Sequence, residues 1–360
     1  MNEDCLKLTT YFGERDRADG AFLADALFDV YERQGLTTSV LLRGIEGFGL
    51  KHGLHTQRLL TLSEDLPVVS VAVDAREKIE AALRAVVPLM GDGQVSLERA
   101  RMLTGPFDEI DLASAPDDAI KLTVYGGRAE RAGRALAYVR AVDLARANGL
   151  TGASAIPGVD GTLHGERRRA RFFSRNVDVP LMLLCVGPAD AAARALPELA
   201  ALFDRPVVTF ERVRLCKSDG HVRTTPHQMP EHDDAGLPIW QKLMVHASEQ
   251  DHVEGRPLYV QLVRRLREAG AAGATVLRGV WGFYGEREPF GDHLLSLRRR
   301  VPIHTVIVDT SANIQRWWKI VDAVTTEHGI VTSELVPASH AVSADHRRGG
   351  LELASLRHGA

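Results

Sequence analysis

Cysteine is scarce: Cys5, Cys185 and Cys216 are the only three in 360 residues, and they lack the spacing of a zinc site or a disulfide framework. The expectation is three reduced thiols in a cytoplasmic protein. Long hydrophobic runs are missing as well, since none reaches the roughly 18 apolar residues that cross a bilayer. The opening MNEDCLKLTT has no basic stretch followed by an apolar one, so no signal peptide is expected. Neither sign of charge dominates. With 44 Lys and Arg against 47 Asp and Glu, the net charge of −3 gives no global reason to expect nucleic acid or an anionic membrane as partner. Motifs of catalysis are absent too: there is no GxSxG, no HExxH, no P-loop and no cysteine set against a histidine. An enzyme is not thereby ruled out, because active residues converge in space rather than in sequence.

What is present is 45% hydrophobic and 25% charged residues, the balance of a globular protein, with length for two or three domains. The densest signal is Leu41–Leu62, LLRGIEGFGLKHGLHTQRLLTL. It passes from an apolar run through Gly44, Gly47 and Gly49 into the polar residues Lys51, His52, His55, Thr56, Gln57 and Arg58. The stretch recurs in degraded form at Ala155–Ser174 and in good form at Val276–Leu297. Other landmarks keep step. Lys7, Lys121 and Lys242 each open an apolar strand, and 28 residues on stand Gly35, Gly149 and Gly270. Gly44, Gly158 and Gly279 follow at 37 residues, and Gly47, Gly161 and Gly282 at 40. Pro67, Pro180 and Pro302 close each series before another apolar strand. Repeats of about 100 residues are domains with their own cores, not stacking modules. The boundaries expected are 1–105, 119–217 and 239–338, with a polar linker at 218–238 and a loose tail at 339–360.

Each unit reads as β-α-β-β-α-β. In the first, Lys7–Phe12 is a strand and Ala21–Gln34 an amphipathic helix, with Phe22, Leu23, Ala26, Leu27, Val30 and Tyr31 on one face. Gly35 ends the helix as a C′ glycine does. Thr38–Arg43 and Pro67–Val73 are strands, Arg76–Met90 is a second helix and Gln94–Leu97 a last strand. In the third unit the second helix carries Trp317 and Trp318; adjacent positions diverge by about 100°, so at least one ring faces the core. The fold class is α+β, three tandem ferredoxin-like domains. Helices cover one face of each four-stranded sheet. The three bare faces would bury each other in an intramolecular pseudo-trimer.

The residues that carry a family likeness are Gly35-Leu36-Thr37, Ile45-Glu46-Gly47-Phe48-Gly49, the basic loop with His55-Thr56, and the turn Gly91-Asp92-Gly93. This arrangement resembles the PII signalling proteins. More narrowly, LLRGIEGFG followed by LHTQRLLTLSEDLPVV is similar to the PII-like domain-of-unknown-function family 190. The likeness is close in unit one, good in unit three and weak in unit two. It implies clefts between neighbouring units that take a small anionic ligand, an adenine nucleotide. One wall would be Arg43, Gly44, Gly47, Phe48, Gly49, Lys51, Gly91, Asp92 and Gly93. The other would come from Gly149-Leu150-Thr151 or Gly270-Ala271-Ala272. Arg278, Gly279, Gly282 and Phe283 would form the equivalent wall in unit three. The sequence departs from the PII pattern at Gln94, where PII proteins carry lysine, at Tyr284 in place of the third loop glycine, and at Glu327-His328-Gly329 in place of the turn.

On the residues alone, the glycines have two readings: a backbone cradle for phosphate, or a bend in a strand. His52 and His55 read first as solvated loop histidines, and His221, His227 and His232 show no metal-type cluster. The run Arg167–Arg169 reads as a solvated loop. The function implied is a cytoplasmic sensor without catalysis that regulates a partner, a membrane transporter or channel by analogy. The alternatives are a slow phosphoanhydride hydrolase in the same cleft and a structural pseudo-trimer whose sites have decayed. No metal or cofactor is expected.

Overall fold

Alternate residues of the first strand face opposite ways, and both directions are buried. Leu6, Leu8 and Phe12 face the helices of their own unit, whereas Cys5, Lys7 and Thr9 face the middle of the molecule. That double burial explains why the strands are near-continuous apolar runs. The structure, a computed structural model, describes residues 2–50, 55–56, 65–107, 110, 112, 119–169, 179–291, 300–343 and 346–355.

Unit one runs β1 (Asn2–Gly13), α1 (Leu23–Arg33), β2 (Thr38–Phe48), β3 (Pro67–Ala75), α2 (Arg76–Val86) and β4 (Gly93–Leu103). β1 lies between β3 and β4, and β2 pairs with β3, so the sheet is antiparallel with the fourth strand beside the first. Unit two repeats this with β5 (Ala119–Gly127), α3 (Ala137–Ala147), β6 (Gly152–Pro157), β7 (Asp160–Leu163), β8 (Pro180–Gly187), α4 (Ala189–Ala201) and β9 (Val207–Ser218). Unit three does so with β10 (Trp240–Ser248), α5 (Leu258–Glu268), β11 (Ala274–Arg278), β12 (Trp281–Tyr284), β13 (Pro302–Thr310), α6 (Ser311–Val324) and β14 (Ile330–Val336). Gly35, Gly149 and Gly270 follow the first helices with φ of 59°, 83° and 82°, the left-handed conformation a C′ glycine supplies. Both Trp317 and Trp318 are buried in the third core, and Trp317 Nε1 donates to Asp309 at 2.9 Å.

Each unit has its own apolar core between helices and sheet. A further core joins all three: Val69, Val71, Tyr125, Leu184, Met244 and Val306 belong to one cluster. The sheets also pair edge to edge. The end of β2 pairs with β11, β7 pairs with the start of β2, and β12 pairs with β6. The fourth strands run on past their own units, so that β4 meets β9 and β9 meets β14.

Two expectations need correcting. The chain after Ala338 is not loose through its described part. β15 (Ala338–Val342) pairs with β4 of unit one, folds back through β16 (Arg347–Gly350), and Ala354 is fully buried. A strand edge left by unit one provides its hydrogen-bond partners, which no local pattern announces. Gly44 and Gly47, expected in a loop, lie within β2, and neither has positive φ. A Cβ on Gly47 would sit 2.7 Å from the carbonyl oxygen of Ala274. The equivalents Gly161 and Gly282 meet Ser39 and Ala153 carbonyls at 2.3 and 2.5 Å. These glycines recur because the sheets of neighbouring units approach there with no room for a side chain.

Candidate functional site

The repeating lysines meet at the centre. Lys7, Lys121 and Lys242 stand opposite Glu98, Glu211 and Glu334 across the first and fourth strands of their own units. Each ammonium group also reaches the glutamate of a neighbour. Lys242 Nζ is 2.5 Å from Glu98 and 2.8 Å from Glu334; Lys121 is 2.5 Å from Glu334 and 3.3 Å from Glu211; Lys7 is 2.8 Å from Glu98 and pairs with Glu211. The result is a closed ring of alternating charge, with all six residues buried. Burial opposes ionisation of Glu98 and Glu334, but the ammonium groups outweigh it and hold both carboxyls below the usual range, Glu334 at about 2. Burial pulls Lys121 down to about 8 against the pull of Glu211 and Glu334. The three carboxylates lie within 4.8 Å of one another, close enough for a metal ion, but lysines already bridge them. The sequence marked the lysines as landmarks and missed the glutamates. Their signal was present as a near-constant spacing from each lysine, 91, 90 and 92 residues.

A cavity of about 260 Å³ opens at the seam of units one and three. Unit one supplies Gly47, Phe48 and Gly49 from the end of β2, and Asp92 and Gly93 from the turn before β4. Unit three supplies Ala272–Thr275. Thus Gly47, Phe48, Gly49, Asp92 and Gly93 share one cavity, and Ala272 faces them from the neighbour. Apolar surface comes from Phe12, Leu50, Val306 and Val308, and charge from Asp16, Asp65 and Asp92. Asp16 accepts the Gly13 amide and Asp65 the Arg15 amide, each at 2.8 Å. No lysine or arginine is among the described lining residues. A cation, or an anion that travels with one, suits such a wall.

Other expected residues sit elsewhere. Arg43 pairs with Glu14 at 2.8 Å, and Arg278 with Glu249 at 2.6 Å, outside this cavity. Gly44 lies against Pro67 and Val276 rather than the cavity, and Gly91 does not line it. Lys51 and His52 fall outside the described residues. Thr151, Gly279, Gly282 and Phe283 belong to the seam of units two and three, where Thr151 O accepts the Gly285 amide at 2.8 Å.

That second seam is built on the same plan but holds a cavity of only about 10 Å³. Tyr284 stands where unit one has Gly49, and Ile330 where it has Gln94. Tyr284 is buried and its hydroxyl bonds Asp251. Behind it His246 and His304 touch through their Nδ1 atoms at 2.9 Å, and His304 Nε2 meets Ser154 Oγ at 2.8 Å. Burial lowers both histidines, His246 to about 4. At the seam of units one and two, Arg167 pairs with Asp160 at 2.8 Å, Asp25 at 3.1 Å and Asp29 at 2.7 Å. The solvated loop expected there is therefore an inter-unit clamp, drawn in by carboxylates over 130 residues away in the chain.

Relatives bear on the three-unit reading. A UPF0166 protein of Aquifex aeolicus (strain VF5) is 34% identical over 93 residues, which are 26% of this chain and 86% of that protein. A crystal structure of a candidate glycine cleavage system transcriptional repressor aligns at 15% identity over 61% of this chain and 97% of its own, with a TM-score of 0.19, too weak a superposition to support an argument. The DUF190 family (Uncharacterized ACR) matches three times in succession, at residues 5–102, 119–215 and 240–338. With most of its length accounted for by those matches, the chain belongs to the PII-like DUF190 family as three tandem copies.

Proposed function

We propose that the chain is a PII-like sensor whose three ferredoxin-like units form an intramolecular pseudo-trimer, with one seam kept open for a small ligand. The observation that carries this reading is the inequality of two seams built alike. One holds about 260 Å³, whereas in the other Tyr284 and Ile330 leave about 10 Å³. A decayed scaffold has no reason to keep one cleft lined with carboxylates and aromatic rings while filling its counterpart. The ligand proposed is an adenine nucleotide. Its base would lie against Phe48, Leu50 and Val306, and its phosphates would enter with a divalent cation, because Asp16, Asp65 and Asp92 repel them otherwise. Regulation of a transporter or channel is carried by the PII analogy alone.

A second reading, slow hydrolysis of a phosphoanhydride in the same cleft, is favoured by those three carboxylates, which could hold the cation and orient water. Phosphate release by the purified chain separates the two.

The test is a thermal-shift series with ATP, ADP and AMP, with and without Mg²⁺, on the wild type and on Gly49→Tyr. At a hundredfold excess over Kd a ligand adds about 2.7 kcal/mol. A rise in the wild type and none in the variant is expected. No rise in the wild type removes the nucleotide form of the proposal, and equal rises move the site elsewhere.

A further inference from the structure

We infer that the chain carries a second binding site, for a multivalent small oxyanion, in a cavity beside the ionic ring. This cavity measures about 280 Å³, and no unit builds it alone. Arg99 and Arg101 come from β4 of unit one, Arg212 from β9 of unit two and Leu335 from β14 of unit three. The connection between units two and three adds His227. Among the described residues, the cavity shares no lining residue with the cleft between units one and three.

The charge balance points to an anion. Three guanidinium groups line the cavity with two carboxylates, Asp4 and Glu211. Glu211 is already shared by Lys7 and Lys121, inside a ring whose six charges cancel. Asp4 is almost fully exposed and lies 3.6 Å from Arg101, so water screens it. Arg99, which donates to a neutral carbonyl, and Arg101, whose carboxylate partner is that exposed Asp4, leave positive charge facing the cavity.

The cations are also held in place. Arg99 donates to the carbonyl of Ala354 at 3.1 Å, and the Arg101 guanidinium lies 5.8 Å from the centre of the Phe210 ring. The His227 carbonyl accepts from Gln241 at 2.8 Å and from Gln315 at 3.0 Å, which fixes the segment that carries this residue. Arginine forks converging from two units suit the paired oxygens of phosphate or carboxylate groups. The volume is at the low end for small-molecule sites and fits an anion the size of tripolyphosphate or citrate.

The experiment is calorimetric titration of the full chain with inorganic tripolyphosphate and, separately, with citrate. The wild type is expected to bind at least one of them saturably, one to one, and more weakly as salt rises. Arg99→Ser with Arg212→Ser is expected to weaken binding about tenfold or more, while Gly49→Tyr binds like the wild type. Both arginines are exposed, so the double variant is expected to melt normally. If it melts early, Arg99→Gln with Arg212→Gln, which keeps the aliphatic stems, is titrated instead. Tripolyphosphate alone marks a phosphate ligand, and citrate alone a carboxylate one. Absence of saturable binding to both, or undiminished binding in the arginine variant, overturns the site, whatever the outcome of the nucleotide series.

Discussion

Lys242 reaches 2.5 Å to Glu98, which lies 144 residues earlier in the chain, and both are buried. The contact is one of three inter-unit links in a ring that closes only when all three units are in place. Removing one member leaves buried charge without compensation, which costs about 3–5 kcal/mol. Lys242→Met is therefore expected to lower the urea midpoint strongly. Adding Glu98→Gln restores neutrality and is expected to recover part of the loss. A drop of under about 1 kcal/mol for the single variant would show that the ring is dispensable.

Acid is expected to destabilise the fold in two stages. His246 and His304 are held neutral by burial, so the unfolded chain binds more protons once the pH drops below about 7. Stability falls from there toward pH 4, where His246 titrates in the fold. Glu98 and Glu334 are depressed by their lysines. Their contribution is complete above the unfolded value of about 4.3 and is lost as the pH falls toward their folded values. His246→Gln with His304→Gln is expected to flatten the first stage by about 1–3 kcal/mol and leave the second. An unchanged slope between pH 7 and 4 in chemical unfolding would sink this assignment.

Gly49 and Gly47 are two residues apart and are expected to respond oppositely to substitution. A Cβ on Gly49 meets nothing within 4 Å, whereas one on Gly47 presses on the Ala274 carbonyl. Gly49→Tyr, which copies the third unit, is expected to fill the cleft at less than about 1 kcal/mol. Gly47→Ala is expected to cost about 1–3 kcal/mol by forcing the seam apart. Melting curves without ligand decide this, and equal losses for both variants would contradict the seam geometry.

Truncation after Val336 removes β15 and exposes the outer edge of β4. Amide exchange is expected to accelerate at alternate residues of Gly93–Leu97, those whose bonds point to β15 rather than to β1. If protection there is unchanged, β15 does not cover that edge of β4.

The order of elements was legible because it rests on local patterns. Helical stripes, C′ glycines and apolar runs placed most elements to within a few residues, although β2 and β4 run five and six residues beyond the Arg43 and Leu97 ends expected for them. Part of the excess pairs with a neighbour: the end of β2 with β11, and Arg101–Leu103 of β4 with β9. In the same way, Gly47 was legible as a residue with no room for a side chain, but what took the room was a strand of unit three, not a ligand phosphate. Arg167 looked like solvated charge because two of its three carboxylate partners, Asp25 and Asp29, lie in another unit. Tyr284 was visible as a departure, yet only its burial shows a cleft being filled.

By itself the sequence determined that one β-α-β-β-α-β unit is written three times, because periodicity and glycine spacing are local and survive divergence. The tertiary structure decided which copies touch, that the lysines and glutamates cancel in a closed ring, and which of two seams built alike holds the larger cavity. Those outcomes depend on side chains more than a hundred residues apart coming within a few ångströms, and no pattern along the chain encodes that distance.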